Sequence, residues 1–93
     1  METYVIVRRN GWRTADELQE AARRSTAEGE HMSEDVRWIR SYVLAETDGS
    51  LGTVCIYQAT SPEKIREHAS RSDLPADEIV LVADTVLVRP DPA

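Results

Sequence analysis

The chain opens with alternating β-branched and aromatic residues: "TYVIVR", residues 3 to 8, suits a strand that stops at Asn10-Gly11. Thr14 then stands three residues before Glu17 in capping-box spacing. Leu18, Ala21, Ala22 and Ser25 follow at helical intervals, predicting a helix that ends near Glu28-Gly29. From Asp35 to Glu46, "DVRWIRSYVLAE" is rich in Val, Ile, Tyr and Trp, and Asp48-Gly49 supplies a turn before "GTVCIYQA" resumes the pattern. Ser61 with Pro62 opens a second helix, "PEKIREHASR", with Ile65 and Ala69 turned inward. After the break at "SDLPAD", the run "EIVLVADTVLV" predicts a fourth strand, and Pro90 and Pro92 close the chain.

The order β-α-β-β-α-β with short connections predicts an α+β, ferredoxin-like sandwich: a four-stranded antiparallel sheet with two helices on one face. The reading is of one domain over residues 1–93, with an irregular tail over 89–93. Its 93 residues bury only a little over ~60 % of the unfolded surface, so the core is thin and a second subunit would help it.

A two-residue turn at Asp48-Gly49 would place Tyr42 opposite Cys55 and Arg40 opposite Tyr57. One hairpin face then carries Ile39, Val43, Val54 and Ile56 and is expected to meet the helices. The other carries Trp38, Arg40, Tyr42, Cys55 and Tyr57, and a one-residue shift would mix the two sets. That second face is too apolar to be left in water, which predicts a homodimer packed sheet to sheet about a two-fold axis. Its five residues are the candidate ligand-binding set. Arg40 is either a rim residue stacked on Tyr57 or the anchor of a small anionic ligand held between sheet and partner. In the plainer reading Cys55 is a small hydrophobe and the two tyrosines are core or interface residues.

Charge and composition narrow the functions. A net charge of −6 argues against a general nucleic-acid binder, with one local exception: Arg8, Arg9 and Arg13 in "RRNGWR" form a basic spot just before a helix start whose free N–H groups favour an anion, against the plainer reading of a solvated loop. Cys55 is the only cysteine, so an intrachain disulfide and a cysteine-rich zinc site are excluded. Neither a signal-peptide core nor a run of ~20 apolar residues is present, so the expected home is the cytoplasm, away from membranes. The two imidazoles are His31, in the loop-like "GEHMSED", and His68, at the border of the second helix's apolar stripe. His68 is the candidate metal ligand, against a plainer role at the edge of the core. The sequence contains no HExxH, nucleophile elbow or phosphate-binding glycine loop, and no catalytic residue is assigned.

"WIRSYV" followed by "VCIYQATSPEKIREHASRSDLPADEI" resembles a family of small bacterial nickel-binding, ferredoxin-like domains. The shared features are an aromatic strand, a "C-[VI]-Y" strand, an "A-x-S-P-E" helix start and an "LPAD"-like turn. The resemblance implies the ferredoxin-like fold, dimerisation and, in some members, nickel as a bound metal, but no known reaction. The chain departs from that pattern at Arg40, where many relatives carry a histidine; a guanidinium has no lone pair to give a metal. His68 is the one position carried over as a metal ligand.

Three readings follow. The first is a small dimeric protein that binds nickel, another divalent metal or a small anionic ligand. The second is a dimeric α+β barrel enzyme, monooxygenase- or isomerase-like, in which Arg40 holds an anionic substrate and His68 moves protons. The third is an interaction module with no chemistry.

Overall fold

The computed structural model describes residues 1–90. The irregular tail expected from residue 89 lies outside the described residues from position 91 onward. Strand β1 (Glu2–Trp12) leads into helix α1 (Ala15–His31), then β2 (Val36–Ala45), β3 (Leu51–Ala59), α2 (Pro62–Arg71) and β4 (Glu78–Leu81). The sheet order is β2-β3-β1-β4, and every neighbouring pair is antiparallel. This is the ferredoxin-like α+β architecture expected from the element order.

Local chemistry explains the helix starts. Thr14 is extended, and its hydroxyl accepts the Glu17 N–H at 3.2 Å, occupying one donor that the first turn leaves without a partner. Ser61 does the same for Lys64 N–H at 3.3 Å, with Pro62 where a missing N–H costs nothing. Helix α1 runs through Gly29 to His31, past the expected end, because the last turn is closed by the Met32 N–H on the Glu28 carbonyl.

The hairpin departs from the expected register. Glu46 pairs with Ser50 through its N–H at 3.0 Å, leaving a three-residue loop, Thr47-Asp48-Gly49, with Gly49 at φ 87°. A three-residue loop of this kind ends on a left-handed residue, which glycine adopts without a Cβ clash. The extra residue moves the pairing by one, so Cys55 faces Ser41 and Tyr42 faces Val54. A bulge at Ile39 moves it again: Trp38 faces Tyr57, and Arg40 faces Ile56. The covered face therefore carries Trp38, Ser41, Cys55 and Tyr57, while Arg40, Tyr42, Val54 and Ile56 lie on the open face. This corrects the expectation that Val54 and Ile56 meet the helices and that Arg40 stacks on Tyr57.

Strand β1 also continues through Asn10-Gly11 where a stop was expected. The chain kinks there, with Asn10 at φ 51° and a register shift between Arg8 and Trp12. The kink is held by the Glu46 carboxylate, which accepts from the Arg9 guanidinium at 2.8 and 3.0 Å and from Asn10 N–H at 2.8 Å. Gly52 permits this close approach, since a Cβ there would come within 2.6 Å of the Arg8 carbonyl oxygen. At the other end, the predicted fourth strand over 78–88 is cut to Glu78–Leu81, and Val86, Leu87 and Val88 stand in solvent. Asp84 interrupts the apolar run, and pairing ceases after the Val82 N–H reaches the Thr3 carbonyl.

The core lies between the helices and the covered face, around Tyr4, Ile6, Met32, Tyr57, Ala59 and Ile65. Among the described residues, no helix is long and apolar enough to cross a membrane.

Candidate functional site

Alternation along β1 sends Tyr4, Ile6 and Arg8 to the covered face, and the sheet register sets Arg8 opposite Thr53. Arg8 is 1 % exposed and Thr53 3 %. Helix α1 meets this end of the sheet with Leu18, Ala21, Ala22 and Ser25, a stripe whose small residues do not fill the space above β3. A cavity of about 220 Å³ results, floored by Arg8, Thr53 and Cys55 and walled by Trp12, Trp38, Val43, Tyr57 and Leu74.

A chain of hydrogen bonds crosses the cavity floor. The Trp38 indole N–H donates to Ser41 Oγ at 2.7 Å, and the Ser41 hydroxyl donates to Cys55 Sγ at 2.9 Å. Arg8 Nη1 donates to the same sulfur at 3.3 Å, and its Nε donates to the Pro75 carbonyl. Arg8 Nη2 and Thr53 Oγ1 are buried without a hydrogen-bond partner. Among the described residues, no carboxylate forms an ion pair with Arg8.

Tyr57 joins this cavity to the core beneath α1 and α2. Its ring stacks on Trp38 with centroids 6.0 Å apart, and its hydroxyl shares a 3.1 Å hydrogen bond with Ser25 Oγ. Burial raises the Tyr57 pKa, so the phenol stays neutral. His68 lies beyond it, 1 % exposed, with ring centroids 5.6 Å apart. His68 Nε2 donates to the Ser25 carbonyl at 3.0 Å, which assigns the proton to that nitrogen because a carbonyl can only accept. Burial lowers the His68 pKa, and the Arg8 charge adds to the effect.

The five residues expected on one ligand-binding face are thus divided. Trp38, Cys55 and Tyr57 line the cavity; Arg40 and Tyr42 lie on the opposite side of the sheet, where Arg40 Nη1 comes within 3.5 Å of the Tyr42 hydroxyl. The cavity is lined by neither Arg40 nor His68, the pair on which the barrel-enzyme reading depended. The three arginines of "RRNGWR" part as well: Arg8 is buried, Arg9 pairs with Glu46, and Arg13 is exposed. Thr53 escaped sequence reasoning, and Arg8 was singled out only as part of the basic spot before the helix, although the alternation Tyr4-Ile6-Arg8 carried the signal that it points inward.

A family model described as nickel responsive protein SCO4226-like matches residues 4–82. The chain belongs to the SCO4226-like family. Among solved structures, SCO4226 from Streptomyces coelicolor A3(2) shares the fold, with a TM-score of 0.72 and 22 % identity over 90 % of this chain and 99 % of that one. A search of curated proteins found no match. In this SCO4226-like chain, no three His, Cys, Asp or Glu groups among the described residues converge as a metal cage. The exposed imidazole is His31, whose Nδ1 lies 3.7 Å from the Glu28 carboxylate.

Proposed function

We propose that this chain is a small cytoplasmic binding protein that acts as a sheet-to-sheet homodimer and takes nickel or a similar divalent ion. The observation that carries the reading is the match of residues 4–82 to a family described as nickel responsive. Two features support a second copy. The open sheet face presents Val5, Val7, Val54, Ile56 and Val80 with no helix over them, and the exposed Val86-Leu87-Val88 segment adds further apolar surface. Two such faces related by a two-fold axis bury one another.

A metal held firmly by N and O donors needs several of them. With no cluster of three within the described residues of one copy, the donors would be drawn from two copies. His31 meets solvent directly. His68 would offer only Nδ1, because Nε2 is bonded to the Ser25 carbonyl.

The test is a nickel titration by calorimetry on untagged, chelator-treated protein, with molar mass followed by light scattering and His31→Gln and His68→Gln measured alongside. Saturable micromolar binding by a dimer, weakened in a histidine variant that keeps its fold, is the expected result. Absence of saturable heat from the unaltered protein would overturn the nickel reading, and a single-chain mass would overturn the dimer.

A further inference from the structure

We propose that the cavity between α1 and the covered sheet face is a binding site for a small carboxylate with an apolar, ring-sized body, anchored by Arg8 and Thr53. The site lies within one copy and on the opposite side of the sheet from the dimer face, so it is independent of the nickel reading.

The anchor is a guanidinium that the fold leaves incomplete. Arg8 is 1 % exposed, yet its Nη2 has no hydrogen-bond partner and its charge has no counter-ion among the described residues. A buried, uncompensated cation is costly, and a buried donor without an acceptor adds to that cost. Both deficits are met by one carboxylate that displaces the side-chain packing now covering the two atoms at the cavity floor. One carboxylate oxygen takes Arg8 Nη2–H, and the other takes the hydroxyl proton of Thr53, the second buried polar atom there without a partner. Arg8 and Thr53 are directly opposite on adjacent strands, so their side chains leave the same face of the sheet with Cβ atoms about 5 Å apart.

The rest of Arg8 is already fixed for this role. Nε holds the Pro75 carbonyl and Nη1 holds Cys55 Sγ, so the guanidinium plane is set before a ligand arrives. Preorganisation of that kind lowers the ordering cost of binding.

The walls select what accompanies the carboxylate. Leu18, Ala22, Trp12, Trp38 and Val43 surround the remaining space with carbon. A dry cavity of roughly 150 Å³ holds benzene, and about 220 Å³ leaves room for one ring and a carboxylate. Phosphate and other fully hydrated anions would leave the apolar walls wet and lose that contribution.

Trp12 and Trp38 are the only tryptophans in the chain, and both line the cavity, so fluorescence excited selectively at tryptophan reports on this site. The experiment titrates the full chain with phenylacetate, its neutral counterpart phenylacetamide, acetate and inorganic phosphate. Phenylacetate is expected to change the fluorescence saturably, with a Kd at or below about 1 mM. The amide should bind about 10- to 100-fold more weakly, the worth of a charge-assisted hydrogen bond. Acetate and phosphate should also be weaker, because neither fills the walls. In Arg8→Met the preference for acid over amide should vanish.

Equal binding of acid and amide to the unaltered protein would overturn the proposal whether or not Arg8→Met folds. So would acetate or phosphate matching phenylacetate, or no saturable response to phenylacetate up to about 10 mM. A folded Arg8→Met that kept the preference would remove Arg8 as the anchor.

Discussion

Each face of this sheet breaks the usual sorting of residues at a few positions. The covered face encloses Arg8, Ser25, Thr53 and His68 within or against the core, whereas the open face presents Val5, Val7, Val54 and Ile56 with no helix over them. On the covered side nearly every enclosed polar group is bonded: Ser25 holds both Tyr57 and, through its carbonyl, His68. The exceptions are Arg8 Nη2 and Thr53 Oγ1, which fall at the cavity, and Ser72 Oγ at the end of α2. On the open side Val5, Val7, Val54 and Ile56 are only half-buried, and Arg40 lies beside the Tyr42 hydroxyl. Burial in a domain this small is thus decided by strand register and by what docks on each face, more than by the polarity of single residues.

The contrast is broken most severely at Tyr57. Its ring contacts Trp38 and His68 and its hydroxyl is bonded, so Tyr57→Ala removes the centre of the covered face. By analogy with other large-to-small aromatic changes it should cost about 3–5 kcal/mol in urea unfolding. A loss under about 1 kcal/mol would mean that the covered face is not the core.

Ser25→Ala tests the polar bonding more selectively. The substitution leaves the Tyr57 hydroxyl buried without its partner while the His68 bond to the residue 25 carbonyl survives. A cost of about 1–3 kcal/mol is expected. Adding Tyr57→Phe should return part of it, because the orphaned hydroxyl is then gone; full additivity of the two changes would argue that they do not interact.

The elements and their order were legible because caps, turns and alternation are local signals: Thr14 with Glu17, Ser61 with Pro62, and the β-branched runs all stand where the structure uses them. The contents of the two faces were not, because they hang on single residues. One additional loop residue beside Gly49 and one bulged residue, Ile39, moved Arg40 and Tyr42 away from Cys55 and Tyr57. The tail of the fourth strand misled for a different reason: Val86, Leu87 and Val88 have strand propensity, but the antiparallel register Tyr4↔Leu81 carries them past the start of β1, so no β1 residue stands opposite them. Arg8 read as solvated because its neighbours Arg9 and Arg13 are; only its place in the alternation distinguished it.

A smaller effect follows from pH. Burial holds the folded His68 pKa below the usual 6.5. Below about pH 6.5 the unfolded chain takes up a proton that the folded chain refuses, so stability falls as pH falls and is constant in this respect above that pH. The slope is at most about 1.4 kcal/mol for each pH unit crossed. Comparing urea midpoints at pH 7.5 and 5.5 with those of His68→Gln isolates it: the variant, whose amide can still donate to the Ser25 carbonyl, should lose less stability on acidification. Equal losses in both proteins would place His68 in water.

The smallest cost to the fold is expected on the open face, and there the informative readout is assembly. Ile56 is half-buried, opposite Val5 on one side and Arg40 on the other. In a single chain, Ile56→Glu exposes a carboxylate to water beside a guanidinium, a cross-strand pair that contributes about 0.2–1 kcal/mol and offsets part of the lost apolar contact. Monomer stability should therefore change by no more than about 1 kcal/mol. In a sheet-to-sheet dimer the same substitution places two carboxylates near the centre of a dry, two-fold interface, where each carries a desolvation cost of several kcal/mol. Light scattering at micromolar concentration should show the mass fall from two chains to one while circular dichroism stays unchanged. A dimer that survives Ile56→Glu would mean that copies meet elsewhere, and the apolar residues of the open face would then need a different cover.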